Sequence, residues 1–93
     1  MITFINAQEM SLQHPKTFAA PCEKVLQDIK IGDYVKINPG HERFWCEVIS
    51  INKEDRSIKG TVASTLIDYD WHPGDELDFK FEHVYDILTK DDL

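Results

Sequence analysis

The chain has few cysteines, few glycines and no long apolar run, and each shortage excludes a class of protein. Two cysteines, Cys22 and Cys46, in 93 residues are too few for the disulfide framework of a small secreted domain. No apolar stretch approaches the roughly 18 residues that a membrane-spanning helix needs. The first six residues also lack the basic start of a signal peptide. We therefore expect a cytoplasmic protein with reduced thiols.

The chain also lacks an excess of positive charge, which argues against direct binding to a nucleic-acid backbone. Its formal net charge is −7. Residues 1–65 hold as many bases as acids, so the whole acidic excess lies in residues 66–93. Such a segment keeps a small protein in solution, or it docks a basic partner. For the second role the candidate residues are Asp75, Glu76 and Asp78.

What remains is the composition of an ordinary folded domain, with 42% hydrophobic and 29% charged residues. A chain of this length makes one domain, residues 1–93. Residues 1–31 predict a helical and extended N-terminal segment. It contains a helix over Ala7–Gln13 capped by Asn6, an extended piece over residues 16–20, and a second helix over residues 21–29.

From residue 32 the apolar period changes from that of a helix to that of a strand. Five short strands are predicted, over residues 33–38, 43–51, 56–63, 76–81 and the end of 82–88. We expect a bulge near Val48 and a bend at Gly60, and a frayed tail over residues 89–93. The predicted fold class is mainly β (α+β), a small SH3-like antiparallel barrel with a short N-terminal helical extension. An OB-type barrel remains the alternative.

Four strings in residues 32–88 resemble a pattern from a bacterial family of small proteins of unknown function. They are Gly-His-Glu-Arg-Phe-Trp-Cys-Glu-Val at 40–48, Gly-Thr-Val at 60–62, Gly-Asp-Glu-Leu-Asp-Phe at 74–79 and Glu-His-Val-Tyr-Asp-Ile at 82–87. The family pattern has Gly-Glu-x-Phe-Trp-Val-x-Val and later Gly-Asp-x-Val-x-Phe. The resemblance implies an SH3-like barrel and a bacterial or phage source, and it implies no chemistry. The chain differs from the pattern at Cys46 and in the loop 68–72.

Aromatic residues supply the first candidate site. Trp45 alternates with Phe44 and Cys46, so it faces outward if those two are core. With Tyr34, Tyr69 and Trp71 it could form an aromatic patch on which a peptide or a base stacks. The alternative is that the N-terminal helices cover Trp45 as a second core layer.

A second candidate site is the string Asp68-Tyr69-Asp70-Trp71-His72. Carboxylate and imidazole together can bind a transition metal, so Asp70, His72 and His83 are weak metal candidates. Ligands at both ends of one strand segment are too far apart to share an ion, so His41 or His83 would have to complete the site. An exposed polar loop with Tyr69 or Trp71 against the edge of the core is the alternative.

No catalytic residue is predicted. Cys46 with His41 or His83 would be a nucleophile and a base, but Cys46 lies inward between Phe44 and Val48. We therefore expect a non-enzymatic protein-binding module without a cofactor, a monomer or weak homodimer. One alternative is an acidic inhibitor that imitates nucleic acid, such as a phage anti-defence factor. A His/Asp metal-binding protein is the second alternative.

Overall fold

A computed structural model describes residues 4–13, 20–40, 42–67 and 69–90. These residues form two short helices, five strands and one 3-10 turn. In chain order the elements are α1 (Ala7–Gln13), α2 (Glu23–Gln27), β1 (Tyr34–Ile37), β2 (Phe44–Asn52), β3 (Ser57–Val62), β4 (Glu76–Lys80), the 3-10 turn η1 (Phe81–His83) and β5 (Asp86–Leu88). The predicted class, mainly β with short N-terminal helices, is confirmed.

The two helices follow local signals that the sequence carries. Asn6 caps α1 by accepting a hydrogen bond from the Glu9 backbone N–H to its Oδ1 at 3.0 Å, as expected. α2 is shorter than predicted. Cys22 is the N-cap residue, so Pro21 lies before the helix, and the helix ends at Gln27. The extended piece expected over residues 16–20 lies mostly outside the described residues.

The five strands form one antiparallel sheet in the order β4-β3-β2-β1-β5. The register between β2 and β3 shifts between Val48 and Ser50, which confirms the predicted bulge. Gly60 lies opposite Val48, where a Cβ would come within 3.0 Å of the Cys46 Cβ and 3.1 Å of the Glu47 carbonyl oxygen. A side chain at this position would therefore crowd the backbone of β2.

One face of the sheet, the inner face, carries the core. Val35, Cys46 and Val48 are fully buried there, and Phe79 and Phe81 extend the same layer. Phe4, Leu26 and Ile29 pack into the same cluster. The N-terminal segment therefore completes the core on the inner face.

The opposite, outer face is defined by the residues that alternate with the buried ones. The register aligns Asp86, Lys36 and Trp45 in one row across β5, β1 and β2. A second row joins Leu88, Tyr34, Glu47, Thr61 and Glu76 across all five strands. In the described residues β4 and β5 are the sheet edges and do not pair with each other, so the predicted closure into a barrel is not part of the observed sheet.

No helix in the described ranges is long and apolar enough to cross a membrane.

Candidate functional site

A groove opens on the outer face between the middle of the sheet and its β5 edge. It encloses about 260 Å³ and is lined by Tyr34, Trp45, Ala63, Ser64 and Leu88. We call it the outer-face groove. Aromatic and aliphatic side chains make most of its wall, and the Ser64 hydroxyl adds a polar group.

Period-2 alternation in three strands places these side chains together. Phe44 and Cys46 are buried on the inner face, so Trp45, which lies between them near the start of β2, faces outward. Val35 and Ile37 do the same for Tyr34 on β1. The Ala63 backbone N–H donates to the Trp45 carbonyl oxygen at 2.9 Å, so the chain just after β3 forms the third side of the groove.

Trp45 carries a cation on its ring. The Lys36 Nζ lies 4.8 Å from the ring centroid, a cation–π distance. The contact follows from the register, which puts Lys36 directly opposite Trp45. On its other side Lys36 lies opposite Asp86 of β5. The observed contact of the Lys36 ammonium is therefore with the Trp45 ring, while the Asp86 Oδ1 accepts a hydrogen bond from the Ile87 backbone N–H at 2.8 Å.

The predicted patch of four aromatic residues is divided between two regions. Tyr34 and Trp45 share the outer-face groove. Tyr69 and Trp71 stack on each other, with ring centroids 5.4 Å apart. Trp71 also contacts Phe44, at 5.7 Å between centroids, and packs against the core. The second pair thus lies at the edge of the inner-face core, which was the alternative considered for that loop.

The N-terminal helices do not cover Trp45 in the part of the chain that the structure describes. Phe4, Leu26 and Ile29 belong to the inner-face core, and Trp45 is half-buried. This placement favours the open groove over the second core layer.

The acidic candidates Asp75, Glu76 and Asp78 do not form one cluster of free carboxylates. Asp75 Oδ2 accepts a hydrogen bond from the His72 backbone N–H at 2.9 Å and so closes the turn before β4. The Glu76 carboxylate lies 3.9 Å from the Lys59 Nζ. Asp78 is exposed on β4, opposite Lys59 of β3 in the register.

The three weak metal candidates, Asp70, His72 and His83, lie in different surroundings. His83 Nδ1 accepts a hydrogen bond from the Lys80 backbone N–H at 3.0 Å, and its ring contacts Phe4. His72 is exposed beside Asp75, and Asp70 is exposed in the preceding loop. In the described ranges no three His, Cys, Asp or Glu side chains are grouped to hold a metal ion. Asp68 and His41 lie outside those ranges.

Cys46 is a core residue, as predicted. It is fully buried, and burial raises the pKa of its thiol to about 12. Burial and the raised pKa both oppose formation of the thiolate, which is the nucleophilic form of cysteine.

Sequence reasoning missed two parts of the groove, Leu88 and the Ala63-Ser64 pair, and the Lys36 contact beside it. Lys36 and Leu88 point to the same face of the sheet as Tyr34, and the alternation along β1 and β5 already indicated this in the sequence. The strand order was needed to see that β5 lies beside β1.

No family model, no curated protein and no solved structure matches the chain.

Proposed function

We propose that this protein is a non-catalytic, cytoplasmic protein-binding module whose outer-face groove takes an apolar side chain from a short segment of a basic partner. The observation that carries the proposal is the pairing of Tyr34 and Trp45 in an open, largely apolar groove. Aromatic side chains in a concave surface supply much contact area for little loss of side-chain entropy.

The proposal includes an SH3-like barrel. The strand order β4-β3-β2-β1-β5, antiparallel throughout, supports it, as does the 3-10 turn between β4 and β5. The strings that resemble the bacterial family of unknown function lie mostly in strands. Residues 44–48 lie in β2, residues 60–62 in β3 and residues 76–79 in β4. The membership of residues 32–88 in that family is part of the proposal.

The groove is small, and this limits what it can take. A volume of about 260 Å³ fits one or two side chains and is below the usual range of drug-sized ligand pockets. A linear protein segment fits it better than a large cofactor. The net charge of −7 favours a segment with basic residues on either side of the apolar one.

The acidic inhibitor receives less support. A nucleic-acid mimic needs carboxylates that are free to replace phosphates along a basic channel. Here Glu76 faces Lys59, and Asp75 is bound within its own turn. If the protein is a nucleic-acid mimic, its affinity for a basic partner should fall steeply with salt concentration and should not depend on Trp45.

The test is selection of binders from a displayed library of random short peptides, followed by affinity measurement on the chain and its variants. We expect the selected peptides to share a bulky apolar residue with Lys or Arg nearby. Trp45→Ala should weaken their binding at least ten-fold, and Ala63→Leu should do the same because it fills the groove without removing the ring.

Ile67→Ala is the matched control, since Ile67 is an exposed apolar residue outside the groove lining. Melting temperatures of all variants identify any loss that comes from unfolding. Peptides that bind the Trp45 and Ala63 variants as tightly as the parent chain would overturn the proposal, and so would the absence of any enriched sequence.

A further inference from the structure

We infer that the partner's basic residue is an arginine, and that its guanidinium takes the place of Lys36 on the Trp45 ring. The inference rests on the proposed function and names the chemistry of the partner at the same groove. Its observation is the Lys36 Nζ, which already lies 4.8 Å from the ring centroid.

The Lys36 contact marks where a cation is favourable on this face. The indole is half-buried and turns its π-face to a positive charge, which the ring quadrupole attracts. Lys36 does not line the outer-face groove, although its partner Trp45 does. One ring therefore serves two purposes: part of it walls an apolar groove, and part of it holds a cation beside that groove.

Lys36 is the weaker type of cation for this position. An ammonium is compact and strongly hydrated, whereas a guanidinium is planar, weakly hydrated and stacks on aromatic faces. A partner arginine can therefore replace Lys36 on the ring with a net gain. The displaced ammonium returns to solvent on the side of β5, where Asp86 is its partner in the strand register.

Charge on the same face also favours a cationic ligand over a neutral one. Asp86 and Glu47 stand in the two rows that contain Trp45 and Tyr34. Glu47 lies two residues from Trp45 on the same face of β2, whereas Asp86 is separated from that ring by β1. The partner segment that fits is an arginine next to a bulky apolar residue, the arginine on the ring and the apolar side chain in the groove.

The test uses three peptides that differ at one position: acetyl-Leu-Arg-Leu-amide, acetyl-Leu-Lys-Leu-amide and acetyl-Leu-Gln-Leu-amide. Each is titrated into ¹⁵N-labelled protein while the indole N–H signals are followed by NMR. Trp45 should shift on binding, and Trp71, which packs at the core edge, serves as the reference within the molecule. We expect the arginine peptide to bind most tightly and the glutamine peptide least.

The Lys36→Met variant tests whether Lys36 competes with the peptide's arginine for the Trp45 ring. Removing the resident cation should tighten binding of the arginine peptide by about two- to five-fold, the factor that an exposed cation–π contact supplies. Lys59→Met is the matched control, because it removes the same charge from the same sheet face at a lysine that faces Glu76. It should give a smaller gain.

Four results would overturn the inference. In the first, Lys36→Met binds the arginine peptide no better than Lys59→Met does. In the second, the lysine peptide binds as tightly as the arginine peptide. If the glutamine peptide shifts the Trp45 signal with equal affinity, the groove stands as a binding site and the arginine does not. If no peptide moves the Trp45 signal in the parent chain or in Lys36→Met, the proposed function fails as well.

Discussion

Asp33 is the buried polar residue whose role the sequence does not reveal. It ends the loop before β1 and is only 3% exposed. Its Oδ2 accepts from the Lys30 backbone N–H at 2.9 Å, and its Oδ1 accepts from the Lys90 backbone N–H at 3.0 Å. One carboxylate thereby ties the loop after α2 to the chain beyond β5. The Gly32-Asp33 pair predicts a turn, but it does not predict that the distant Lys90 backbone N–H donates a hydrogen bond to the Asp33 Oδ1.

We predict that Asp33→Asn lowers the free energy of unfolding by about 2–3 kcal/mol, because an amide offers one acceptor where two buried N–H groups need one each. Urea unfolding measures the change. Asp28→Asn, at an exposed position, is the control and should stay within about 0.5 kcal/mol of the parent chain. A similarly small effect for Asp33→Asn would mean that these two bonds do not hold the loop.

At the scale of elements, α2 is fastened to the turn between β2 and β3 by an ion pair. Arg56 Nη1 donates to Glu23 Oε2, and the Arg56 guanidinium lies 5.2 Å from the centre of the Phe81 ring. Arg56 has a φ of 55°, a left-handed conformation in that tight turn. The hydrogen bonds from Arg56 and Gln27 lower the pKa of the Glu23 carboxyl from 4.5 to about 2.

Glu23→Gln should therefore lower the melting temperature above pH 5, and the difference should vanish as the pH falls. A depressed pKa means that the ion pair stabilises the fold above pH 4.5 and stops doing so as the pH falls to about 2. Because both side chains are exposed, we expect a difference of about 1–4 °C. Thermal melts at several pH values test this, with Glu54→Gln in the same turn as control. A difference that persists at pH 2 would assign the effect to helix propensity instead.

Strand positions were the most predictable elements. Clean alternation in residues 76–81 predicted β4. Alternation over the first part of residues 43–51 predicted β2, and its break at Ile49 predicted the bulge. α2 was overestimated because Pro21 is a good first helical residue, while the observed helix begins after Cys22. Local propensity indicates that a helix exists, and its ends depend on packing.

At the scale of the whole molecule, the N-terminal segment meets the far end of the sheet through Phe4 and His83. The Phe4 ring centroid lies 6.0 Å from that of His83 and 6.1 Å from that of Phe79. His83 accepts the Lys80 N–H through its unprotonated Nδ1. Burial lowers the pKa of His83 below 6.5, with Glu82 opposing and Lys80 adding to the shift. The neutral imidazole is therefore part of the folded state.

We predict that stability falls as the pH drops from about 7 to 5, and that His83→Asn removes part of this slope. A lowered histidine pKa means that the stabilisation is complete above 6.5 and is lost as the pH falls through the folded-state value. Asn keeps an acceptor for the Lys80 N–H and does not titrate. Urea unfolding at pH 7, 6 and 5 measures the slope, and His72→Asn, an exposed site, should follow the parent chain. If the free energy of unfolding of His83→Asn depends on pH as steeply as that of the parent chain, a group other than His83 causes the pH dependence.

By itself the sequence determined the class of fold, because alternation and turn residues act over a few neighbouring positions. It also predicted that Trp45 faces away from Phe44 and Cys46, and the structure buries those two residues. The tertiary structure decided the site. Whether Trp45 meets Tyr34 or Tyr69 depends on which strands are neighbours and where a long loop returns. Both are set by packing between residues far apart in the chain, and a local pattern carries no record of that packing.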